Sequence, residues 1–229
     1  MARPALPGAH QALLDAARVE FARVGPAAAR VEDIARRAGV SKGAFYLHFR
    51  TKDDAFLQLV QRLIGALEAL AERREEATRR LWAAPPAGPA EVEARFEAEI
   101  ALDVEHLELL WRHRHLIPAV DGAAGTRGGA LMEGFKQRLR VATVARVRAR
   151  QADGQLRADV SAGVAADLIL GSSQDLGRRM ATFREKPDLA AWARDLRLIV
   201  SQGLLTRRSA IPPRRPRPTR APRPPPRRA

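Results

Sequence analysis

The chain has 229 residues, no cysteine and a formal net charge of +14, and 46% of its residues are hydrophobic. That length and apolar content suffice for a folded core, and the lack of cysteine excludes disulfides, thiolate zinc sites and cysteine nucleophiles. No run approaches the roughly 18 to 20 uncharged apolar residues of a membrane-spanning helix, and the first ten residues lack the apolar core of a signal peptide, so we expect a cytoplasmic protein with no membrane partner.

The positive charge is concentrated at the two ends of the chain. Residues 1–52 carry nine Lys or Arg against four Asp or Glu, residues 53–206 carry 22 of each, and residues 207–229 carry nine Arg and no acid. A basic N-terminal region is typical of a surface that binds a polyanion. The last 23 residues also contain eight Pro. We therefore expect a disordered Arg/Pro-rich tail, which either contacts DNA or is an unselected extension.

A first helix is predicted from about Ala9 to Val24, ending at Gly25-Pro26. Its apolar residues repeat every four positions, which indicates one buried face turned toward the residues that follow. These residues are Leu13, Ala17 and Phe21.

The stretch Val31–Lys52 predicts a helix, a tight turn and a second helix. Gly39 stands where the chain must turn, and Ser41 offers a hydroxyl as the N-cap of the second helix. In a helix-turn-helix protein, the N-terminal end of that second helix contacts base edges. The apolar residues that would bury these two helices are Ile34, Ala35, Ala38, Val40, Phe45 and Phe49.

Five further helical segments and one short segment follow. The sequence at Thr51–Asp54 predicts the start of a long helix that ends near Leu81, and the Pro- and Gly-rich residues 85–89 end this pattern. Helices are then predicted at 90–111, 129–152, 161–183 and 189–205, with a short segment at Leu116 and Ile117 that ends at Pro118. Because no period-2 strand pattern appears, the predicted fold is all-α. The predicted domains are residues 1–52, 53–206 and the tail 207–229.

The N-terminal residues resemble the TetR family of bacterial transcriptional repressors. The resemblance is carried by DIARRAGVSKGAFYLHF, Asp33 to Phe49, followed by Thr51-Lys52. It includes the family's aromatic and histidine pair at Tyr46 and His48. It implies an N-terminal three-helix DNA-binding domain and a helical body that binds a small apolar or amphipathic molecule. It also implies homodimerisation through the last two helices, with Leu168, Leu176, Leu196 and Ile199 as candidates.

The resemblance also implies roles for individual residues in binding double-stranded operator DNA. Ser41, Lys42, Gly43 and Ala44 would lie against base edges, where Lys42 can donate to guanine and the small residues permit close approach. Tyr46, His48 and Lys52 would donate to phosphates, although Tyr46 and His48 are alternatively half-buried neighbours of the first helix. The family usually has Ser or Thr where Arg30 stands; an arginine can reach a phosphate but is a poor helix cap.

The ligand site is predicted within the body rather than at defined positions. Its candidate lining is Phe96, Ile100, His106, Leu110, Trp111, Leu131, Met132 and Phe135, each of which is alternatively plain core. Histidines 106, 113 and 115 lie near Asp103 and Glu105, but a di-iron bundle needs a Glu-x-x-His on each of two helices, so no metal or cofactor is expected.

Two rival functions remain open. One is a DNA-binding regulator whose body binds a protein partner and no small ligand. The other is a helical-bundle enzyme, which we do not favour because the sequence displays no convergent acid, base and nucleophile. An internal cavity would favour a ligand, and a sealed core with an exposed apolar patch would favour a protein partner.

Overall fold

A computed structural model describes residues 8–84 and 86–204. Over these residues the chain forms nine α-helices and no strand, which confirms the all-α prediction. The Arg/Pro tail lies outside the described residues. The helices are α1 (Ala9–Ala28), α2 (Val31–Arg37), α3 (Lys42–His48), α4 (Lys52–Leu81), α5 (Pro89–His113), α6 (Leu116–Asp121), α7 (Arg127–Ala152), α8 (Ala162–Met180) and α9 (Leu189–Leu204).

Helices α1 to α3 pack around a small aromatic core. Phe21, Phe45 and Phe56 are fully buried, and the Phe21 and Phe56 rings meet edge to face with centroids 5.2 Å apart. Leu13 and Ala17 are also fully buried, so the predicted inner face of α1 is confirmed. This core extends into the body through residues of α6 and α7 such as Leu116 and Met132. The N-terminal helices thus pack against α6 and the first turns of α7.

Helix α4 connects the two parts of the chain. Its start is fixed by a capping box, in which Thr51 Oγ1 accepts from the Asp54 N–H at 3.1 Å and Asp54 Oδ2 accepts from the Thr51 N–H at 3.2 Å. The helix has 30 residues and is therefore about 45 Å long. Its predicted bounds, Lys52 and Leu81, are those of the structure.

Of two proline positions, one follows the sequence prediction and one differs from it. Gly25 adopts φ 77° and ψ 160°, which is not helical, so the chain breaks at Gly25-Pro26 as predicted, and one further turn then runs to Ala28. Pro118 does not end the short sixth helix, which runs to Asp121. Pro118 lies in the first turn of that helix, where a backbone N–H has no intrahelical partner to lose.

The body is built on α5 and α7. Helix α9 packs along α5, while α4 and α8 pack along α7. A cluster that includes Phe96, Ile100, Leu107 and Met180 joins α5 to α8 and α9. Among the described residues, no helix is both long and apolar enough to cross a membrane.

Candidate DNA-binding surface and ligand cavity

The turn between α2 and α3 sets the position of the α3 N-terminus. Gly39 has φ 71°, a left-handed conformation that side chains rarely adopt, so the predicted need for glycine is confirmed. Ser41 Oγ accepts from the Ala44 N–H at 3.2 Å and caps α3. Lys42 and Gly43 are exposed at this end. A Cβ at Gly43 would meet only Ser41 Oγ, at 3.8 Å, so packing within the described part of the protein does not require glycine there.

An acid of α2 lies beside the lysine of α3. Lys42 Nζ is 2.5 Å from Glu32 Oε1 and both side chains are exposed. The Lys42 hydrogen bond lowers the pKa of Glu32, and the same contact raises the pKa of Lys42, so both groups are charged at neutral pH. The sequence reasoning missed this pair, which places a negative charge on the surface predicted to face DNA.

The aromatic pair of α3 is divided between solvent and core. Tyr46 is half exposed, at 50%, with its ring edge to face against Phe45 at 5.5 Å. His48 is partly buried, its ring packs against His10 of α1 at 5.7 Å, and its Nε2 has no hydrogen-bond partner among the described residues. Tyr46 is therefore accessible to a phosphate, whereas His48 is a half-buried neighbour of α1.

Arg30 and Lys52 lie beside the two ends of the helix-turn-helix. Arg30 is exposed at the N-cap of α2 and makes no side-chain capping bond, as expected of an arginine. Lys52 Nζ donates to the carbonyls of Ala27 and Ala29, at 2.5 and 2.9 Å. This cation satisfies carbonyls where α1 ends and fastens that end to the start of α4. Two of its three N–H groups are thus used within the protein.

A buried carboxylate joins α1 to α2. Glu20 is 3% exposed, and its Oε2 accepts from Arg23 at 2.7 Å while its Oε1 accepts from Arg37 at 2.8 Å. The hydrogen bond from Arg23, assisted by that from Arg37, lowers the pKa of Glu20 against the opposing effect of burial. The pair with Arg37 holds the end of α2 against α1, and the sequence pattern had not indicated it.

The body contains two adjoining cavities. The outer cavity has a volume of about 580 Å³ and lies among the second half of α4 and helices α5, α7, α8 and α9. The inner cavity has about 120 Å³ and lies among α4 to α8. Six residues line both cavities: Leu67, His106, Phe135, Leu139, Leu170 and Ser173. The outer volume lies in the range usual for small-molecule sites.

The predicted ligand-lining residues divide into two groups. His106, Leu110, Met132 and Phe135 line one or both cavities. Phe96, Ile100 and Trp111 line neither, because they pack in the α5–α8–α9 cluster, where Trp111 also lies 3.9 Å from the Arg114 guanidinium. Leu131 packs against the core that the N-terminal helices share with α6 and α7. The sequence reasoning missed the arginines of the outer cavity, since an arginine on an amphipathic helix usually indicates a solvated face.

His106 lies where the two cavities adjoin. Its Nε2 is buried and has no hydrogen-bond partner among the described residues. Burial, with a smaller contribution from the Arg74 charge, lowers the pKa of His106 to about 4, so the ring is neutral at pH 7. Residues 8–84 and 86–204 contain no group of three His, Asp or Glu arranged to hold a metal ion.

The last two helices leave part of their apolar surface exposed. Val164 and Leu168 of α8 and Ile199 of α9 are each at least 60% exposed. Leu176 and Leu196, which were also candidates for a dimer contact, face the other way: both pack on the body core and line the outer cavity. Both are half-buried, so neither shares the exposed face of Leu168 and Ile199.

The N-terminal helices match a known protein family in sequence. Residues 13–59 match the sequence profile of "Bacterial regulatory proteins, tetR family". The N-terminal unit belongs to the TetR family. A stretch of 45 residues is 47% identical to the uncharacterized HTH-type transcriptional regulator YerO of Bacillus subtilis (strain 168). That match covers 20% of this chain and 16% of YerO, so it spans about a sixth of that relative's length.

The fold of the whole described chain is also that of TetR-family regulators. The ketosteroid transcriptional regulator KstR2 of Mycobacterium tuberculosis superimposes with a TM-score of 0.64 and 21% identity, over 86% of this chain and 95% of that chain. A TetR family transcriptional regulator from Chloroflexus aurantiacus gives a TM-score of 0.63 and 21% identity, over 88% and 96%. At these identities the likeness establishes the fold, and the body's ligand must be argued from its own residues.

Proposed function

We propose that this protein is a homodimeric transcriptional repressor that binds operator DNA through α3 and is released by a small molecule bound in the body. The capped N-terminus of α3 carries the proposal, because Ser41 fixes it at the surface with Lys42 and Gly43 exposed. Bases are read by Ser41, Lys42, Gly43 and Ala44. Phosphates are contacted by Tyr46 and Arg30, and by the one Lys52 N–H that its bonds to Ala27 and Ala29 leave free. His48, whose Nε2 is buried, packs against α1 instead.

The exposed apolar residues of α8 and α9 support a dimer. One recognition helix contacts too few base pairs for a specific site, and a two-fold dimer doubles that number. Val164 and Leu168 stand one turn apart on α8, on the side away from the body core. Pairing with a second copy removes these side chains and Ile199 from water.

The adjoining cavities support a small-molecule ligand over a protein partner as the regulator of DNA binding. KstR2, which has a similar fold, is a ketosteroid transcriptional regulator. Helix α4 lines both cavities and begins at the helix-turn-helix. A ligand that favours one position of α4 therefore changes the spacing of the two DNA-binding units and the affinity for the operator.

The experiment is selection of a preferred duplex from a random library, followed by fluorescence anisotropy with that duplex and a scrambled one. The wild type should be a dimer at micromolar concentration and prefer the selected duplex. Leu168→Arg should yield a folded monomer with much weaker specific binding. Val19→Arg, an equally drastic change at an exposed position of α1, serves as control and should remain dimeric. A wild type that is monomeric and binds both duplexes equally contradicts the proposal.

A further inference from the structure

The acids deep in the outer cavity have their oxygens occupied. Glu99 Oε1 accepts from the Trp82 indole N–H at 2.9 Å, and Glu99 Oε2 accepts from Arg197 at 2.8 Å. Asp103 Oδ1 accepts from Arg74 at 2.7 Å, and Asp103 Oδ2 accepts from Arg197 Nε at 2.8 Å. Because arginines already neutralise much of the negative charge of these two carboxylates, the acids attract a cationic ligand only weakly.

Two arginines of α7 have donors to spare in the same cavity. Arg146 and Arg150 are four residues apart and therefore lie on one face of the helix. Their carboxylate contacts are long, 3.4 Å from Arg146 to Glu75 and 3.6 Å from Arg150 to Glu99. Each also donates one bond to a neutral oxygen, that of Thr143 or Gln155. With five N–H groups each, both guanidinium groups keep unused donors among the described contacts.

The other charged residues of the outer cavity do not offset the unused donors of Arg146 and Arg150. Its ionisable lining consists of five arginines, four acids and His106, which is neutral at pH 7. Arg79 pairs with Glu76 on its own helix. Asp153 is exposed beyond the end of α7, and Glu75 is half exposed. The outer cavity thus presents two arginines with unused donors beside acids that already pair with other arginines, which favours an anionic group in a ligand.

The inner cavity has the opposite character. The residues that line it and not the outer one are mostly apolar, among them Leu63, Leu110, Val120 and Met132, and its two charged residues, Asp121 and Lys136, pair with each other. Gly177 adds no side chain, and a Cβ there would lie 3.1 Å from Ile117. The unpartnered Nε2 of His106 stands between this apolar space and the outer cavity. A buried polar atom without a partner is costly, so a ligand that contacts it gains binding free energy.

We propose that the two cavities together bind an amphipathic anion. Its carboxylate or phosphate head contacts Arg146 and Arg150, and its apolar segment passes His106 into the inner cavity. The inference rests on the proposed ligand-responsive function and assigns the ligand's class and orientation.

The test is isothermal titration calorimetry of the full chain with four probes that share a ten-carbon chain: decanoate, decyl phosphate, decanol and decyltrimethylammonium. We expect one or both anions to bind at least about tenfold more tightly than the alcohol, and the cation to bind most weakly. Comparison of the two anions distinguishes a carboxylate head from a phosphate head. Among anions of the preferred head group, affinity should rise by roughly fourfold for each methylene that enters the inner cavity.

A pair of double variants locates the anion. Arg146→Gln with Arg150→Gln should weaken binding of the anion at least about tenfold and leave decanol unchanged. The control is Arg138→Gln with Arg148→Gln, which removes the same charge from α7 outside both cavities. It should change neither the affinity for the anion nor the affinity for decanol. Any of three results overturns the inference. The alcohol and the anion bind with equal affinity, the Arg146/Arg150 double variant binds the anion as tightly as the wild type does, or no anion binds at millimolar concentration.

The same samples separate this inference from the proposed function. Anisotropy on the selected duplex reports DNA binding independently of calorimetry. If the protein binds the anion but shows no preference for the selected duplex, the inference is supported and the proposed function is contradicted. A specific duplex complex with no anion site overturns the inference and leaves the DNA-binding part of the proposal in place.

Discussion

Lys42 and Glu32 form an ion pair across the two helices of the helix-turn-helix, with Nζ 2.5 Å from Oε1. The carboxylate therefore lies beside the lysine that is proposed to contact a base. If this surface approaches phosphates as proposed, Glu32 repels DNA and competes with it for Lys42. The ion pair would then lower the affinity for DNA.

The first prediction is that Glu32→Gln tightens DNA binding. Removing one negative charge from the interface should raise the affinity by about three- to tenfold at low salt, with a smaller gain at high salt because screening weakens the repulsion. Anisotropy with the selected duplex measures both values. The control is Glu133→Gln, which removes an exposed acid from α7, far along the chain from α3. If Glu32→Gln instead weakens binding, the ion pair serves to position Lys42.

The second prediction concerns the buried carboxylate of Glu20. Glu20→Gln should lower the free energy of unfolding by about 1 to 3 kcal/mol at pH 7, because glutamine carries no negative charge and offers one acceptor oxygen to the two arginines instead of two. The folded-state pKa of Glu20 lies below its ordinary value of 4.5. Its stabilisation is therefore complete above that value and lost as the pH falls through the folded-state pKa.

Urea unfolding of wild type and Glu20→Gln at a series of pH values measures this difference. The gap between the two proteins should be full at pH 7 and close as the solution becomes more acidic than pH 4.5. Glu72→Gln, at an exposed position of α4, should match the wild type throughout. A gap that is independent of pH would mean that the glutamine perturbs packing rather than charge.

Capping chemistry made some elements predictable from sequence alone. Thr51 and Asp54 predicted the first residue of α4 correctly, and Gly39 and Ser41 predicted the turn and the start of α3. These signals are reliable because they act within one helical turn. Pro118 misled, since a proline is equally compatible with the first turn of a helix and with the residue after its end.

Side-chain direction in the body was harder to predict. Leu168 and Leu176 are both apolar residues of α8, yet one is exposed and the other contributes to the outer cavity. A helix that packs on two sides is apolar on two faces, and periodicity does not state which face meets which neighbour. Arg146 and Arg150 were missed for a related reason: their place at a cavity depends on α5, α8 and α9, which are distant in sequence.

The third prediction follows from the neutral histidine at the cavity junction. The pKa of His106 is about 4 in the folded protein and near 6.5 when the chain is unfolded. The unfolded state therefore gains a proton first, so folding is destabilised as the pH falls from 6.5 to 4, by up to about 3 kcal/mol. Above pH 6.5 the histidine adds no pH dependence.

His106→Leu should remove this contribution, because leucine does not titrate. The measurement is the difference in unfolding free energy between variant and wild type at pH 7.5 and pH 4.5. Taking this difference cancels pH effects common to both proteins. Relative to the wild type, the variant should be more stable at pH 4.5 than it is at pH 7.5. The charge of Arg74 lowers the pKa of His106, and the charge of Asp103 raises it. A difference that does not change with pH would show that His106 is charged or solvated in the folded state.

The last prediction concerns residues 207–229, whose nine arginines account for +9 of the net charge of +14. Val200 of α9 lines the same cavity as Trp82, so the tail follows a helix whose last turns lie near the far end of α4, about 45 Å along that helix from Lys52. A 23-residue polyproline II segment would be roughly 70 Å long, which is enough to return to the operator. Contacts from such a segment reach phosphates without reading bases.

Deleting residues 207–229 should therefore flatten the dependence of DNA affinity on salt concentration and leave the preference for the selected duplex unchanged. A chain of full length in which all nine tail arginines are glutamine separates charge from length and should behave as the deletion does. Anisotropy at several salt concentrations gives the slopes for the three proteins. Identical slopes would show that the tail does not contact DNA, and a lost duplex preference would show that it contributes to base recognition.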